Sequence, residues 1–267
     1  MLGNEYKEYC NNFNNVWKYL KSCSKDIDTI ADEICKYRLY YHNKDKWTKL
    51  LDEIGVLFVS SDTCDYERLK IQKFNDLALF SKDGHFLLNQ RYIIPVRDML
   101  GNIVAMIGWY PDSKRYITTP SKFFSKGCLF FGMEQLSKTG IGEDYFLVEG
   151  IFDSLSVRLL GLNCVAHMGI SDSRVKEVLY GLFGRICAIP DNDTQGRKVL
   201  NNDSWKIPRN GCYLKWTGGM VNEDTGEVLH IKDIDRLCSI YDDDSVRSIL
   251  HDSITKSKNR VVKIDLS

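Results

Sequence analysis

Two apolar runs in this chain end in acid. Tyr145-Phe146-Leu147-Val148 leads into Glu149-Gly150-Ile151-Phe152-Asp153, and Ile186-Cys187-Ala188-Ile189-Pro190 leads into Asp191-Asn192-Asp193. Short apolar runs bounded by Gly, Pro and Asn read as buried strands. A carboxylate at the end of such a strand is held at the rim of a core, partly stripped of water. Glu149, Asp153, Asp191 and Asp193, brought to one sheet edge, repel one another unless a cation sits among them. The pattern therefore demands a fold that carries two strand ends together, and its chemistry is capture of a divalent cation and, through it, of phosphates. A plainer role exists for part of the motif, since Asp-Asn-Asp after a strand can simply cap the next helix.

The frame for such a convergence is present. From 143 onward the rhythm is βαβα: a strand over 145–148 and a helix over 152–161 stopped by Gly161, a strand over 163–166 and a helix over 173–182, then a strand over 185–189 and a helix beginning near Thr194. Strands alternating with helices imply a parallel sheet with right-handed crossovers, whose ligands bind beyond the carboxyl ends of the strands. Further on, 211–216 reads as a strand and 222–227 as the tip of a hairpin. Lys232-Asp233-Ile234-Asp235 adds two carboxylates, and a helix follows over about 243–254. Asp242-Asp243-Asp244 stands before that helix and is assigned a solvated, capping role.

Upstream the character differs. Residues 1–60 carry helical periodicity, with Trp47, Leu50, Leu51 and Ile54 on one face up to Gly55. From 84 to 132 short strands take over: 91–98, a turn at Leu100-Gly101-Asn102, then 103–110, 115–120 and 128–132. Charge is divided to match. The segment 82–126 holds seven basic residues against three acidic, and 143–193 holds eight acidic against four basic, although the whole chain is neutral. That division suits a protein that grips a polyanion with one segment and metal ions with the other. Trp109 and Tyr116 could stack on a base, but burial in the β-rich core is the preferred assignment for both.

Composition excludes several classes. With 43% hydrophobic and 27% charged residues in 267, the chain is of ordinary globular composition and long enough for two subdomains. No apolar run reaches the length of a membrane span, and the N-terminus lacks the order of a signal peptide, so the expected location is the cytoplasm. The nine cysteines form no CxxC pair and the five histidines complete no zinc spacing. Cys164 and Cys187 are expected to pack as small hydrophobes, and the histidines to take no catalytic part.

The order of these pieces resembles the RNA-polymerase core of DnaG-type DNA primases, including the primase part of phage primase-helicases. Leu147-Val148-Glu149-Gly150-Ile151-Phe152-Asp153 is similar to the glutamate motif of their Toprim domain, and Ala188-Ile189-Pro190-Asp191-Asn192-Asp193 with Gly196 to its DxD motif. Lys232-Asp233-Ile234-Asp235-Arg236-Leu237 is similar to the downstream acidic pair. Arg91–Asp98 with Gly101, Arg115–Pro120 and Phe124–Gly132 resemble the basic segments that separate primases from other Toprim proteins. His167-Met168-Gly169 stands where primases usually carry Ser-Leu-Gly, and Thr118 where they usually carry Asn.

The resemblance covers roughly 85–240 and implies an α/β fold: a Toprim parallel-sheet domain preceded by a mixed α+β primase N-terminal subdomain. It divides the chain into a helical region (1–60), a basic β-rich subdomain (61–140), the Toprim domain (141–240) and a C-terminal helix and tail (241–267). The implied activity is synthesis of short RNA primers on single-stranded DNA from NTPs by metal-assisted nucleotidyl transfer. Mg²⁺ or Mn²⁺ is the expected cofactor, because the cluster offers hard oxygen ligands. Asp191, Asp193 and Asp233 are the implied metal ligands, with Asp235 and Asp153 assisting. Glu149 is a general base, a proton shuttle or a further ligand. Arg91, Arg97, Arg115, Thr118 and Lys126 are the implied contacts to nucleotide and template. No zinc-binding or helicase-binding module is recognised, so the expectation is a phage-like chain that either works with a replicative helicase and a separate zinc-binding subunit or initiates without them. A Toprim nuclease, in which the same carboxylates activate water, and a catalytically silent primase-like subunit are the alternatives.

Overall fold

The computed structural model describes residues 2–37, 44–71, 77–111, 115–119, 130–168, 180–217, 220–221, 228–229, 231–255 and 261–265. They fall into two compact units, Met1–Leu129 and Phe130–Ser267.

In the first unit α1 (Leu2–Ser22) and α2 (Ile27–Tyr37) precede α3 (Lys44–Ile54), and a short α4 (Tyr66–Ile71) follows. Tyr9, Phe13, Val16 and Leu20 recur at helical spacing along α1 and are all buried. The Tyr9 hydroxyl donates to the Val104 carbonyl at 3.1 Å, so α1 lies on the sheet. Trp47, Leu50, Leu51 and Ile54 of α3 are buried, as their period predicts. The sheet is antiparallel in the order β1 (Leu57–Val59), β2 (Arg91–Arg97), β3 (Ile103–Tyr110), β4 (Arg115–Thr118). Proline is tolerated at position 95 because β1 pairs only with residues 91–93, leaving the rest of β2 with one ladder partner. Cys23 and Cys64 are disulfide-bonded at a Cα separation of 5.4 Å, a pairing that their spacing did not suggest.

The second unit is built on a six-stranded sheet in the order β12-β9-β8-β6-β7-β5. Its strands are β5 (Phe130–Phe131), β6 (Tyr145–Val148), β7 (Cys164–His167), β8 (Ile186–Ile189), β9 (Cys212–Thr217) and β12 (Val261–Asp265). A separate hairpin pairs β10 (Met220–Val221) with β11 (Val228–Leu229), and its tip at 222–227 lies outside the described residues. All pairings in the large sheet are parallel except β5 on β7. A short α5 (Leu136–Thr139) precedes β6. The longer helices are α6 (Ile151–Leu159), α7 (Thr194–Asn202), α8 (Ile234–Ile240) and α9 (Asp243–Thr255). Most of the helix expected over 173–182 lies outside the described residues.

The central strands of this sheet are apolar on both faces, and every residue of β6, β7 and β8 is buried. That accounts for unbroken apolar runs where a half-exposed strand would alternate. Cys164 and Cys187 are in this core, and Cys212 Sγ lies 3.4 Å from Cys187 Sγ.

Three local readings change. Phe130-Phe131, grouped by sequence with the basic β-rich segment, instead forms the antiparallel edge of the second sheet against Ala166 and His167. The tail after α9 is not featureless: Val261–Asp265 pairs in parallel with Tyr213–Thr217, and a five-residue edge strand flanked by Lys and Arg carries too weak a period to stand out. Tyr116 is 38% exposed, against its assignment to the core, because β4 is an edge strand of the first sheet, whereas Trp109 on the interior β3 is buried.

Candidate metal and phosphate site

Chain order and sheet order part company at β6. The chain runs from β6 to β7 on one side, then returns to place β8 on the other side of β6. The carboxyl ends of β6 and β8 therefore flank a topological switch point, where helices leave the sheet in opposite directions and a crevice opens. Glu149 follows β6 and Asp191 follows Pro190 at the end of β8. Both candidates are thus delivered to the crevice by topology alone. The Asp191 N–H donates to Glu149 Oε1 at 3.2 Å, tying the two strand ends together.

The other acids reach the same place by helix starts. Gly150 is the N-cap of α6 in extended conformation, and Asp153 lies in the first turn. A Cβ on Gly150 would collide with the Asp153 carboxylate, so the Glu-Gly pair leaves space for that side chain to fold back over the helix end. Asp193 caps α7, its Oδ1 accepting from Gln195 N–H (2.8 Å) and Gly196 N–H (2.9 Å). Gly196 is needed for another reason: a Cβ there would overlap the Asp191 carbonyl. Asp233 caps α8 through Arg236 N–H at 2.8 Å. Asp235 N–H donates to Asp153 Oδ1 (3.3 Å), and the Ser156 hydroxyl donates to Asp235 Oδ1 (2.7 Å).

The capping role and the convergence are thus both real, and they reinforce each other. A cap fixes one carboxylate oxygen with a backbone N–H and so aims the other. The segments are also stapled to one another. Asn192 N–H donates to Lys232 O (2.5 Å), its side-chain amide donates to Ile231 O (2.9 Å), and Trp216 Nε1–H donates to Pro190 O (2.8 Å).

Electrostatically the cluster is in conflict. Burial, then repulsion from Asp233, Asp235 and Asp191, pushes Asp153 up to about 8. Burial, then Glu149 and Asp233, pushes Asp191 up to about 7. Burial also raises Glu149, against the Asp191 N–H that favours its anion, and Asp193 adds to the rise. Desolvation and like charges act together here to drive these carboxylates upward. Lys232 offsets part of the conflict, with Nζ 3.7 Å from Asp191 Oδ2. The oxygen-only donor set and its excess negative charge fit a hard divalent cation. Among the described residues no three acids, histidines or cysteines stand in coordination geometry.

The basic candidates are spread along the first unit's sheet. Arg91 opens β2 and Arg115 opens β4. With Tyr92 opposite Trp109 and Arg115 opposite Tyr110, they share one end of the sheet, where the Arg91 guanidinium lies 5.7 Å from the Tyr110 ring centre. Arg97 is at the far end of β2, about 20 Å away at strand rise, where its Nη1 donates to Gly101 O across the hairpin turn (3.0 Å). Thr118 closes β4 opposite Ile107. Lys126 lies outside the described residues. His167 is buried, its ring 4.5 Å from that of Trp205 and its Nε2 3.3 Å from the Tyr180 hydroxyl.

Sequence reasoning missed Asn192, Ser156 and Trp216 as parts that hold the site together. Asn192 carried a faint signal, being a polar residue locked between two acids. Ser156 and Trp216 carried none, because each works through a partner distant in sequence.

A family model described as Toprim-like matches residues 146–229. The DNA primase of Clostridium acetobutylicum is 28% identical over 159 residues, covering 58% of this chain and 26% of that protein, so the chain spans about a quarter of this relative's length. A DnaG primase catalytic domain solved bound to single-stranded DNA superimposes with a TM-score of 0.71 at 16% identity, over 93% of this chain and 80% of that one. The RNA polymerase domain of Mycobacterium tuberculosis primase DnaG gives a TM-score of 0.62 at 16% identity, over 92% and 83%. Residues 146–229 are thus similar to the Toprim-like family, and the chain has the fold of DnaG primase catalytic cores.

Proposed function

We propose that this chain is the polymerising core of a DNA primase, a nucleotidyltransferase that builds short RNA on single-stranded DNA from NTPs with Mg²⁺ or Mn²⁺. The observation that carries this reading is the meeting of carboxylates from three segments at the β6/β8 switch point, held in repulsion that a cation would relieve. Asp191, Asp193 and Asp233 hold the ion, with Asp153 and Asp235 assisting. When bound, the ion lowers the pKa of a 3′-hydroxyl and neutralises charge building on the leaving pyrophosphate. Glu149, raised by burial and by Asp193, suits acceptance of the hydroxyl proton. The Asp191 N–H fixes its carboxylate at the strand end.

Arg91, Arg115, Arg97, Thr118 and Lys126 take nucleotide and template phosphates. Because Arg91 and Arg115 stand apart from Arg97, they divide into two contact points on an extended strand. Tyr116, 38% exposed on β4, is the aromatic assigned to stack on a base. Among the described residues no helix is long and apolar enough to cross a membrane. A cytoplasmic site of action, in the bacterial host if the chain is phage-encoded, goes with the replication role, as do a replicative helicase and a separate zinc-binding subunit as partners.

The test is incubation of the purified chain with single-stranded templates, labelled NTPs and Mg²⁺ or Mn²⁺, with Glu149→Gln and Asp191→Ala beside it. The expected result is short labelled RNA from the wild type alone. No product, even with a zinc-module or helicase partner supplied, overturns the primase reading. Template cleavage without incorporation replaces it with a nuclease. Equal synthesis by the variants overturns the site assignment.

A further inference from the structure

Lys232 stands among the carboxylates without a place in the chemistry above. Its backbone is held rigidly, since the Lys232 carbonyl accepts from Asn192 N–H (2.5 Å) and the neighbouring Ile231 carbonyl from the Asn192 amide (2.9 Å). Its head is loose. The ammonium is 3.7 Å from Asp191 Oδ2, beyond hydrogen-bond reach, and the side chain is 62% exposed while that of Asp191 is 18% exposed. A fixed base and a solvent-facing head on a four-carbon stem allow the charge to leave without any backbone movement. The same ammonium is felt by Asp191, Asp233, Asp193 and Asp153, and Glu149 feels it in turn. It therefore stands within the negative field of these five acids, which would also be the focus of attraction for a divalent ion.

We propose that Lys232 is the resident counter-ion of the site, which holds the carboxylates together before metal loading and is expelled when a divalent cation binds. This rests on the metal-site reading above and adds a regulatory consequence. Two cations cannot share the focus, so whatever attraction the lysine contributes in the metal-free protein is attraction the incoming ion must displace. Lys232 then sets the metal concentration at which the site loads and opposes loading by weakly held ions. The relation is one of linkage. A residue that stabilises only the metal-free form lowers metal affinity by the factor it contributes to that form.

The test compares wild type with Lys232→Gln and Lys232→Arg by calorimetric titration with Mn²⁺ and by melting in EDTA and in saturating Mn²⁺. Removing a unit charge a few ångströms from the ion should make Mn²⁺ bind about three- to ten-fold more tightly to Lys232→Gln. That variant should melt lower than wild type in EDTA and reach the wild-type temperature in Mn²⁺. Lys232→Arg, which keeps the charge, should stay within about two-fold of wild type by the same charge argument. Unchanged or weaker Mn²⁺ binding by Lys232→Gln overturns the proposal and leaves the metal site standing. Loss of melting temperature that Mn²⁺ does not restore assigns the lysine a merely structural role and also overturns it. If the wild type itself binds no Mn²⁺, both the exchange and the metal-site reading fall.

Discussion

The two units handle charge in opposite ways. In the first, two partly buried acids have partners that complete them. Asp98 accepts from Leu100 N–H, Asn102 N–H, the Asn102 amide and the Tyr6 hydroxyl. Glu33 accepts from Lys25 and from the Tyr92 hydroxyl and, despite its burial, is held below the usual carboxylate range by these partners. In the second unit the acids around the β6/β8 crevice are pushed the other way, to about 7 for Asp191 and about 8 for Asp153, by burial and by one another. The first arrangement stabilises a fold. The second is a cost to the fold, which makes sense only if a ligand removes it.

That contrast is broken most severely at Asp191. Asp191→Asn should lower primer synthesis on the order of a thousandfold, the scale of removing a group that holds charge in a transition state. It should also raise the melting temperature in EDTA at pH 8, because it removes a like charge from the cluster. Neutralising Asp98 instead should destabilise the protein. Asp98→Ala leaves several donors at the β2–β3 turn without their acceptor and should cost about 2–3 kcal/mol in denaturant unfolding, with or without metal. Opposite signs in EDTA for two acid removals would sharpen the distinction between the units. A loss of stability in both would erase it.

The extent to which this was legible in the sequence follows the same division. Strand ends and their acids were readable because a fully buried parallel strand leaves an unbroken apolar run, and Glu149 and Asp191 are simply what comes next. The glycines at 150 and 196 were visible as parts of motifs, but their reason was not: one makes way for the Asp153 carboxylate and the other for the Asp191 carbonyl. Lys232 looked like a neighbour of acids, and only the folded chain puts its ammonium opposite Asp191. The basic candidates fared differently. Arg91, Arg97 and Arg115 read as one patch along the chain, yet antiparallel register sends Arg97 to the opposite end of the sheet from the other two. Strand pairing decides which charges are neighbours, and linear charge density does not contain it.

A subtler version of the contrast is its dependence on pH. Asp153 is raised by burial first and then by Asp233, Asp235 and Asp191. Below about pH 4 it is protonated in folded and unfolded chains alike and contributes no slope. Between about pH 4 and 8 the unfolded chain releases this proton while the folded chain keeps it, so metal-free stability should fall as pH rises. Above about pH 8 both forms are ionised and the effect levels off. Only one proton distinguishes the two forms, so the slope should not exceed about 1.4 kcal/mol per pH unit. Unfolding in EDTA across this range should show the decline in wild type and a flatter profile in Asp153→Asn. Saturating Mg²⁺ should reverse the wild-type trend, since the ion needs the ionised form. Parallel profiles for the two proteins would show that Asp153 is not held protonated.

The smallest expected effect tests whether capping and metal binding can be told apart. Asp242 and Asp193 do the same local work. Asp242 Oδ1 accepts from Asp244 and Ser245 N–H at the start of α9, as Asp193 Oδ1 does from Gln195 and Gly196 at the start of α7. They differ in their surroundings. Asp242 is held below the usual carboxylate range by the Ser245 hydroxyl and backbone N–H groups, and Asp244 beside it on α9 is exposed to water. Asp193 instead stands near enough to Glu149 and Asp191 to help raise both. Asp242→Ala should lower the melting temperature slightly and leave Mn²⁺ affinity untouched, whereas Asp193→Ala should weaken Mn²⁺ binding beyond what the lost cap explains. Asp193→Ser, which can still cap, separates the contributions: it should recover the melting temperature in EDTA and fail to recover the metal. If serine restores both, Asp193 acts only as a cap, and the ion is held by the remaining carboxylates.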